Sequence, residues 1–276
     1  PDFYRHNLLV PILDDIYRLM NLSGYLMVYY LAVGYRKHRR LFLLLWLVIT
    51  LVLGSRLARS DLFQYLLISI FILNMIKRIP LKYLLVGLGI LAVLFLGVHY
   101  FRGSQFERET GWVEKGIAYA PEMMPWLASF YTYTIPNIRN VQIAIQRISD
   151  YEWGRNLLYP IWSWTRTKSL LGFVEHDYAY WIEFYGLGIF KPYLIDFYKD
   201  FGVLGVTLLP GVLGFLSMRL YIKSKRSDDL LSVLLYALLS YCLLISFVTN
   251  AFNNSDIWLL IIQVFLVAKF VGNHQR

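Results

Sequence analysis

Apolar residues fall in this chain into seven long runs, divided by short polar connections. The runs are Leu19–Tyr35, Leu41–Gly54, Leu62–Ile76, Leu81–Phe101, Phe201–Ile222, Leu230–Thr249 and Ile257–Val271. A helix needs about 20 such residues to cross the ~30 Å hydrocarbon core of a bilayer. The pattern therefore predicts an all-α protein, a polytopic transmembrane helix bundle. Two of the runs are short, since fourteen residues rise only about 21 Å. Either flanking arginines snorkel to the interface, or the hairpin tip Gly54-Ser55-Arg56-Leu57-Ala58-Arg59-Ser60-Asp61 sits below the outer surface. The second arrangement brings Arg56 and Arg59 near membrane depth.

The connections give the bundle a direction. Arg36-Lys37-His38-Arg39-Arg40 follows the first run and Lys77-Arg78-Ile79-Pro80 the third. Lys223, Lys225 and Arg226 follow the fifth, and Lys269 and Arg276 close the seventh. Basic loops stay cytoplasmic, so the alternate connections face outward: Ser55–Asp61, Arg102–Asp200 and Asn250–Asp256. The division is four amino-terminal spans in 1–101, a large extracytoplasmic loop in 102–200 and three carboxyl-terminal spans in 201–276. The opening Pro1-Asp2-Phe3-Tyr4-Arg5 reads like the inside of a loop, and further spans are expected upstream.

The outward segment Arg102–Asp200 is too long for a passive connector. It holds six of the eight tryptophans and eleven of the eighteen acidic residues. Val141, Ala144, Ile145 and Ile148 lie on one helical face, which predicts a helix within Ile135–Ile148. Prolines at 121, 125, 136, 160 and 192 break the remainder into short helices, some on the membrane surface.

Composition agrees with a bilayer. Hydrophobic residues make up 58% and charged residues 16%, with mean hydropathy +0.49, against about 25% charged in soluble domains. The net charge of +9 suggests nucleic acid until its placement is considered: most basic residues flank apolar runs, so no nucleic-acid partner is expected. The one cysteine, Cys242, allows no disulfide within the chain.

No Asp-x-Asp motif and no Cys or His cluster with metal spacing occurs, so neither a metal nor another cofactor is expected. Gly87-Leu88-Gly89-Ile90-Leu91-Ala92 matches a dinucleotide fingerprint formally, but it lies within an apolar run and reads as helix packing. Arg56, Arg59, Arg102, Arg108 and Arg166 are basic residues on the outward side, where the charge rule does not call for them. A guanidinium fork suits phosphate, pyrophosphate or carboxylate, or else lipid headgroups. Trp112, Trp126, Trp153, Trp162, Trp164, Tyr178, Tyr180, Trp181 and Tyr185 fit either sugar stacking or an interfacial belt. Glu175, His176, Asp177 and Glu183 are the acid–base candidates. Asp200 opens the fifth run as a helix N-cap or a ligand-binding carboxylate, and Gly202, Gly205, Gly211 and Gly214 allow close helix contact.

Three features together resemble the bacterial oligosaccharide repeat-unit polymerases, the Wzy-type O-antigen and capsule polymerases. Gly54-Ser55-Arg56 ends a span at an outward hairpin, and a long external loop follows two spans later. That loop closes with Gly188-Ile189-Phe190-Lys191-Pro192-Tyr193 and Phe197-Tyr198-Lys199-Asp200-Phe201-Gly202-Val203-Leu204-Gly205 ahead of a glycine-bearing span. The resemblance implies an enzyme of the bacterial inner membrane, metal-independent and without a nucleotide sugar. Its donor and acceptor would be oligosaccharides on undecaprenyl diphosphate. A chain-length regulator and a flippase would be pathway partners. The family's basic residues in external loops support Arg56 and Arg102; on the residue reading given above, Arg59, Arg166, Trp164, Trp181 and Asp200 would also bind substrate, and Glu183 or His176 would act as base. An O-antigen ligase is the related alternative. A transporter of a lipid-linked or anionic solute is the alternative from another class, although transporters more often carry polar residues within their spans.

Overall fold

The structure, a computed structural model, describes residues 9–35, 37–55, 59–83, 137–165 and 192–274, with 85–87, 89, 93 and 167. Every described element is a helix. They are α1 (Leu9–Val33), α2 (Arg39–Ser55), α3 (Arg59–Lys77), α4 (137–147), α5 (Tyr159–Trp164), α6 (Tyr193–Ser227), α7 (Leu230–Ile245) and α8 (Ser255–His274), with a 3-10 turn at Ala251–Asn253. The expected run Leu81–Phe101 is helical at its described positions, and the rest of it lies outside the described residues. Among the described residues one helix, α6, is long and apolar enough to cross a membrane.

The chain divides into two compact units. The first comprises Pro1–Val98, Ser217–Tyr241 and Leu259–Arg276. Its core follows the helical period: Leu22, Tyr25, Val28, Tyr29 and Ala32 on α1; Tyr65, Ile68, Ile72 and Met75 on α3; Val233, Leu234, Ala237, Leu238 and Tyr241 on α7. α2 buries Ile49 and Leu53 and leaves Leu43, Leu44, Leu47 and Leu51 exposed. Asp229 caps α7, its carboxylate accepting from the Ser232 amide at 3.1 Å and the Ser232 hydroxyl at 2.7 Å. The Tyr29 hydroxyl donates to the Asp228 carbonyl at 2.6 Å, and the Lys225 ammonium donates to the Met75 carbonyl.

α1 meets α3 where a glycine lies under a ring. A Cβ on Gly24 would stand 2.1 Å from the Tyr65 hydroxyl oxygen and 2.5 Å from its ring. Tyr65 is itself wholly buried against Tyr25, with ring centroids 5.4 Å apart, and stacks on Trp46 at 6.2 Å. Gly24→Ala is therefore expected to destabilise the protein by about 1–3 kcal/mol through overpacking. Thermal unfolding of the full chain in detergent measures it, with Gly211→Ala, where a Cβ meets open space, as the neutral control.

The second unit comprises His99–Leu216 and Cys242–Trp258. Ala144 of α4 packs on Ile195 of α6, with Val141, Ile143 and Ile148 around them. This is three of the four residues whose spacing predicts the helix; Ile145 is half exposed instead and offers its carbonyl to the Tyr198 hydroxyl at 3.4 Å.

α6 is two helices joined at a break. Gly202 has φ 61° and ψ −143°, a backbone region reserved in effect for glycine. A Cβ on Gly205 would lie 2.1 Å from the Phe197 carbonyl oxygen. Eight residues of straight helix rise about 12 Å, so that contact exists only because the chain turns sharply at Gly202. The expected run beginning at Phe201 coincides with this break, and residues 193–200, read from sequence as the end of the loop, form the helical arm ahead of it. Phe201 to Met218 carries no charged residue.

Candidate functional site

The arm ahead of Gly202 carries Asp196 and Asp200, one turn apart on a common helix face and both fully buried. A buried carboxylate must be hydrogen-bonded or paired, and the arm meets that requirement with two separate sets of donors.

Asp200 faces the 151–158 segment. Oδ1 accepts from the Asn156 backbone amide at 3.0 Å and its carboxamide at 2.9 Å, and Oδ2 accepts from the Leu157 amide at 2.8 Å. The Asn156 carboxamide also donates to Glu152 at 3.0 Å, and Glu152 pairs with Lys199 at 2.6 Å. Two backbone bonds run alongside: Glu152 N to Lys199 O at 2.9 Å and Trp153 N to Asp200 O at 3.0 Å. Burial pushes the Asp200 carboxyl above its ordinary range, against the opposing pull of the Asn156 and Leu157 donors.

Asp196 faces the α7–α8 connection. Its Oδ2 accepts from the carboxamides of Asn250 and Asn253, each at 2.7 Å. Asn250 also accepts from the Phe252 amide at 3.0 Å, which shapes the 3-10 turn. The carbonyls just past α7 complete the junction: Ser246 accepts from the Tyr193 amide at 3.0 Å and Phe247 from the Asn137 carboxamide at 2.9 Å. Asn137 and Asn140, three apart on α4, are buried as well. Four segments distant in sequence thus converge on one buried polar core within the second unit. Asn253→Ala is expected to loosen the α7–α8 connection by about 1–2 kcal/mol, because Asp196 loses a donor in a buried site. Faster amide hydrogen exchange over 246–254 reads it out.

Of the residues expected to bind substrate or act as base, Asp200 is the one described fully, and Trp153 and Trp162 of the aromatic set are described as well. Asp200 acts as a brace: its carboxylate turns into the protein onto the 156–157 amides, not onto the first amides of the apolar span or toward solvent. Arg59 opens α3 and Trp164 ends α5. Arg56, Arg102, Arg166, His176, Trp181 and Glu183 lie outside the described residues. Sequence reasoning passed over Asp196, Asn250, Asn253, Asn137 and Asn140. The signal that finds them is positional: Asp196 sits at i−4 from Asp200, and the two asparagines of α4 share its face. Among the described residues no group of His, Cys, Asp and Glu is arranged to hold a metal ion.

No family model matches the chain, and neither the curated proteins nor the solved structures include a match to it.

Proposed function

We propose that the chain is a multi-pass glycosyltransferase of the bacterial inner membrane that polymerises lipid-diphosphate-linked oligosaccharide units into surface polysaccharide. The observation that carries this reading is the division of chemistry along α6. Eighteen residues from Phe201 to Met218 carry no charge, and immediately ahead of them stands a rigid arm bearing Asp196, Lys199 and Asp200. A lipid-linked glycan asks for an apolar surface for the tail beside an ordered polar region for the sugars, and the inward-facing carboxylates of the arm brace the segments that would form it. The seven-run pattern and its basic loops support a polytopic bundle with the second unit's polar core on the outward side.

In this mechanism an acceptor hydroxyl of one lipid-linked unit attacks the anomeric carbon of the donor glycan. The new C–O bond forms as the bond from that carbon to the diphosphate oxygen breaks. Undecaprenyl diphosphate leaves with the electron pair, and the hydroxyl proton passes to Glu183 or His176. Arg56 and Arg102 hold the departing diphosphate, supplying fixed positive charge where negative charge develops, and Arg59 is a further substrate contact. Arg166, Trp164 and Trp181 contact the sugars, while Asp200 orders the region that presents them. A chain-length regulator and a flippase of the same pathway are the expected partners.

Deleting the gene in a polysaccharide-producing strain and separating the surface glycan by length tests the reading. Single repeats should persist while the long ladder disappears. Loss of every capped chain indicates the ligase instead, and an unchanged ladder rejects both enzymes. Complementation with Arg56→Ala should reproduce the deletion, with at least about a hundredfold loss of polymer, the scale of removing one fixed transition-state donor.

A further inference from the structure

Trp153 stands out among the described residues because its backbone is strained and its side chain receives little packing in return. It has φ 50° and is followed by Gly154 at φ 90°, with Arg155 N donating to Glu152 O at 3.2 Å. Two successive positive φ values closed by this bond are the pattern of a type I′ turn, whose first central position favours Asn, Asp or Gly. A bulky residue there is an outlier. Tryptophan usually offsets such a cost by burial, yet Trp153 is 77% exposed, and among the described residues its ring contact is edge-on to Phe201 at 6.5 Å. The turn beneath it is held on both sides by the Lys199 and Asp200 carbonyls and by the Asp200 carboxylate.

We infer that Trp153, flanked by the exposed Tyr151 and Arg155, is a stacking platform for a sugar ring of an oligosaccharide. Strain kept at a braced surface position belongs with a ligand contact. The chemistry fits a pyranose: an indole face for its C–H side, and a phenol and a guanidinium two residues to either side for its hydroxyls or acidic substituents. An interfacial anchor, the other use of an exposed tryptophan, gains from immersion whatever the ring's orientation and has no need of a left-handed backbone. Tyr151 is itself fixed, edge-on to Tyr198 at 6.1 Å and against Gly202. The inference rests on the polymerase reading for the kind of ligand, and places a sugar subsite apart from the residues that handle the diphosphate.

The test uses the full chain in lipid nanodiscs and short oligosaccharides cut by mild acid from the producing strain's surface polysaccharide, with calorimetry to measure affinity. Trp153→Gly should weaken binding about tenfold, and Trp153→Phe should retain most of it. Trp153→Gly also relieves the left-handed strain, so its Tm should equal or exceed that of the unaltered protein. A residue with only a structural role would lose Tm and leave affinity unmoved. Unchanged affinity in Trp153→Gly overturns the platform, as does a variant that binds sugar normally but leaves the membrane more readily in flotation. Failure of the unaltered protein to bind any fragment also overturns it, whereas the polymerase reading stands or falls separately on the glycan ladder of the deletion strain.

Discussion

Alanine at Gly202 or Gly205 is expected to abolish accumulation of the folded protein. At Gly205 the new Cβ would meet the Phe197 carbonyl at 2.1 Å from oxygen and 2.9 Å from carbon. Both are backbone atoms, so no side chain can rotate away. At Gly202 two costs combine: a φ of 61° unsuited to alanine, and the Tyr151 ring 2.6 Å from the added Cβ. Strain of this kind costs about 1–3 kcal/mol and overpacking about as much again, together a large share of a typical stability of about 5–15 kcal/mol. Gly211 and Gly214, in the same helix but facing open space, should tolerate alanine. Fluorescence-detected size exclusion of the four variants makes the comparison. A monodisperse Gly205→Ala peak at full height would contradict the break in α6.

The second large effect belongs to Asp200. Its replacement by alanine removes the acceptor of the part-buried Asn156 and Leu157 backbone amides and leaves the Asn156 carboxamide with Glu152 alone, so a loss of about 2–3 kcal/mol is expected. Asp200→Asn keeps one acceptor oxygen and should fall between. Acidity separates the two forms further. Burial raises the Asp200 carboxyl above its ordinary value of 3.8, so the folded chain binds this proton more tightly than the unfolded chain does. The stability this supplies is complete below the ordinary value and is lost as pH rises through the raised one. Asp200→Asn should remove that dependence. Chemical unfolding of both proteins across mildly acidic pH, in one detergent, measures the difference.

Helices were legible in the chain because apolar runs and helical spacing are local signals. α2, α3 and α8 each extend a few residues beyond their apolar runs, since arginine, serine and lysine continue a helix without lengthening its hydrophobic stretch. α1 begins ten residues before its run, through Asp14, Asp15 and Arg18. α7 stops at Ile245, four residues before its run ends, where the Ser246 carbonyl turns to Tyr193. The glycines of Asp200-Phe201-Gly202-Val203-Leu204-Gly205 were visible as close-contact positions, but their purpose was not. Gly202 and Gly205 serve a sharp turn within one helix, and nothing in a one-dimensional pattern distinguishes that from packing between two. The polar core was hidden for a similar reason. Asn250 and Asn253 look like loop residues until tertiary structure brings Asp196 to them, and Asn137 and Asn140 lie in the expected helix with no local sign that they are buried. Asp200 was expected as a cap or a ligand-binding carboxylate, whereas the donors its carboxylate meets lie more than forty positions away.

Reconstitution gives the most direct test of the polymerase reading. The full-length protein, purified and placed in liposomes with undecaprenyl-diphosphate-linked repeat units and a metal chelator, should lengthen the glycan and release one undecaprenyl diphosphate for each bond formed. Intact single units alongside active, well-folded protein would contradict it.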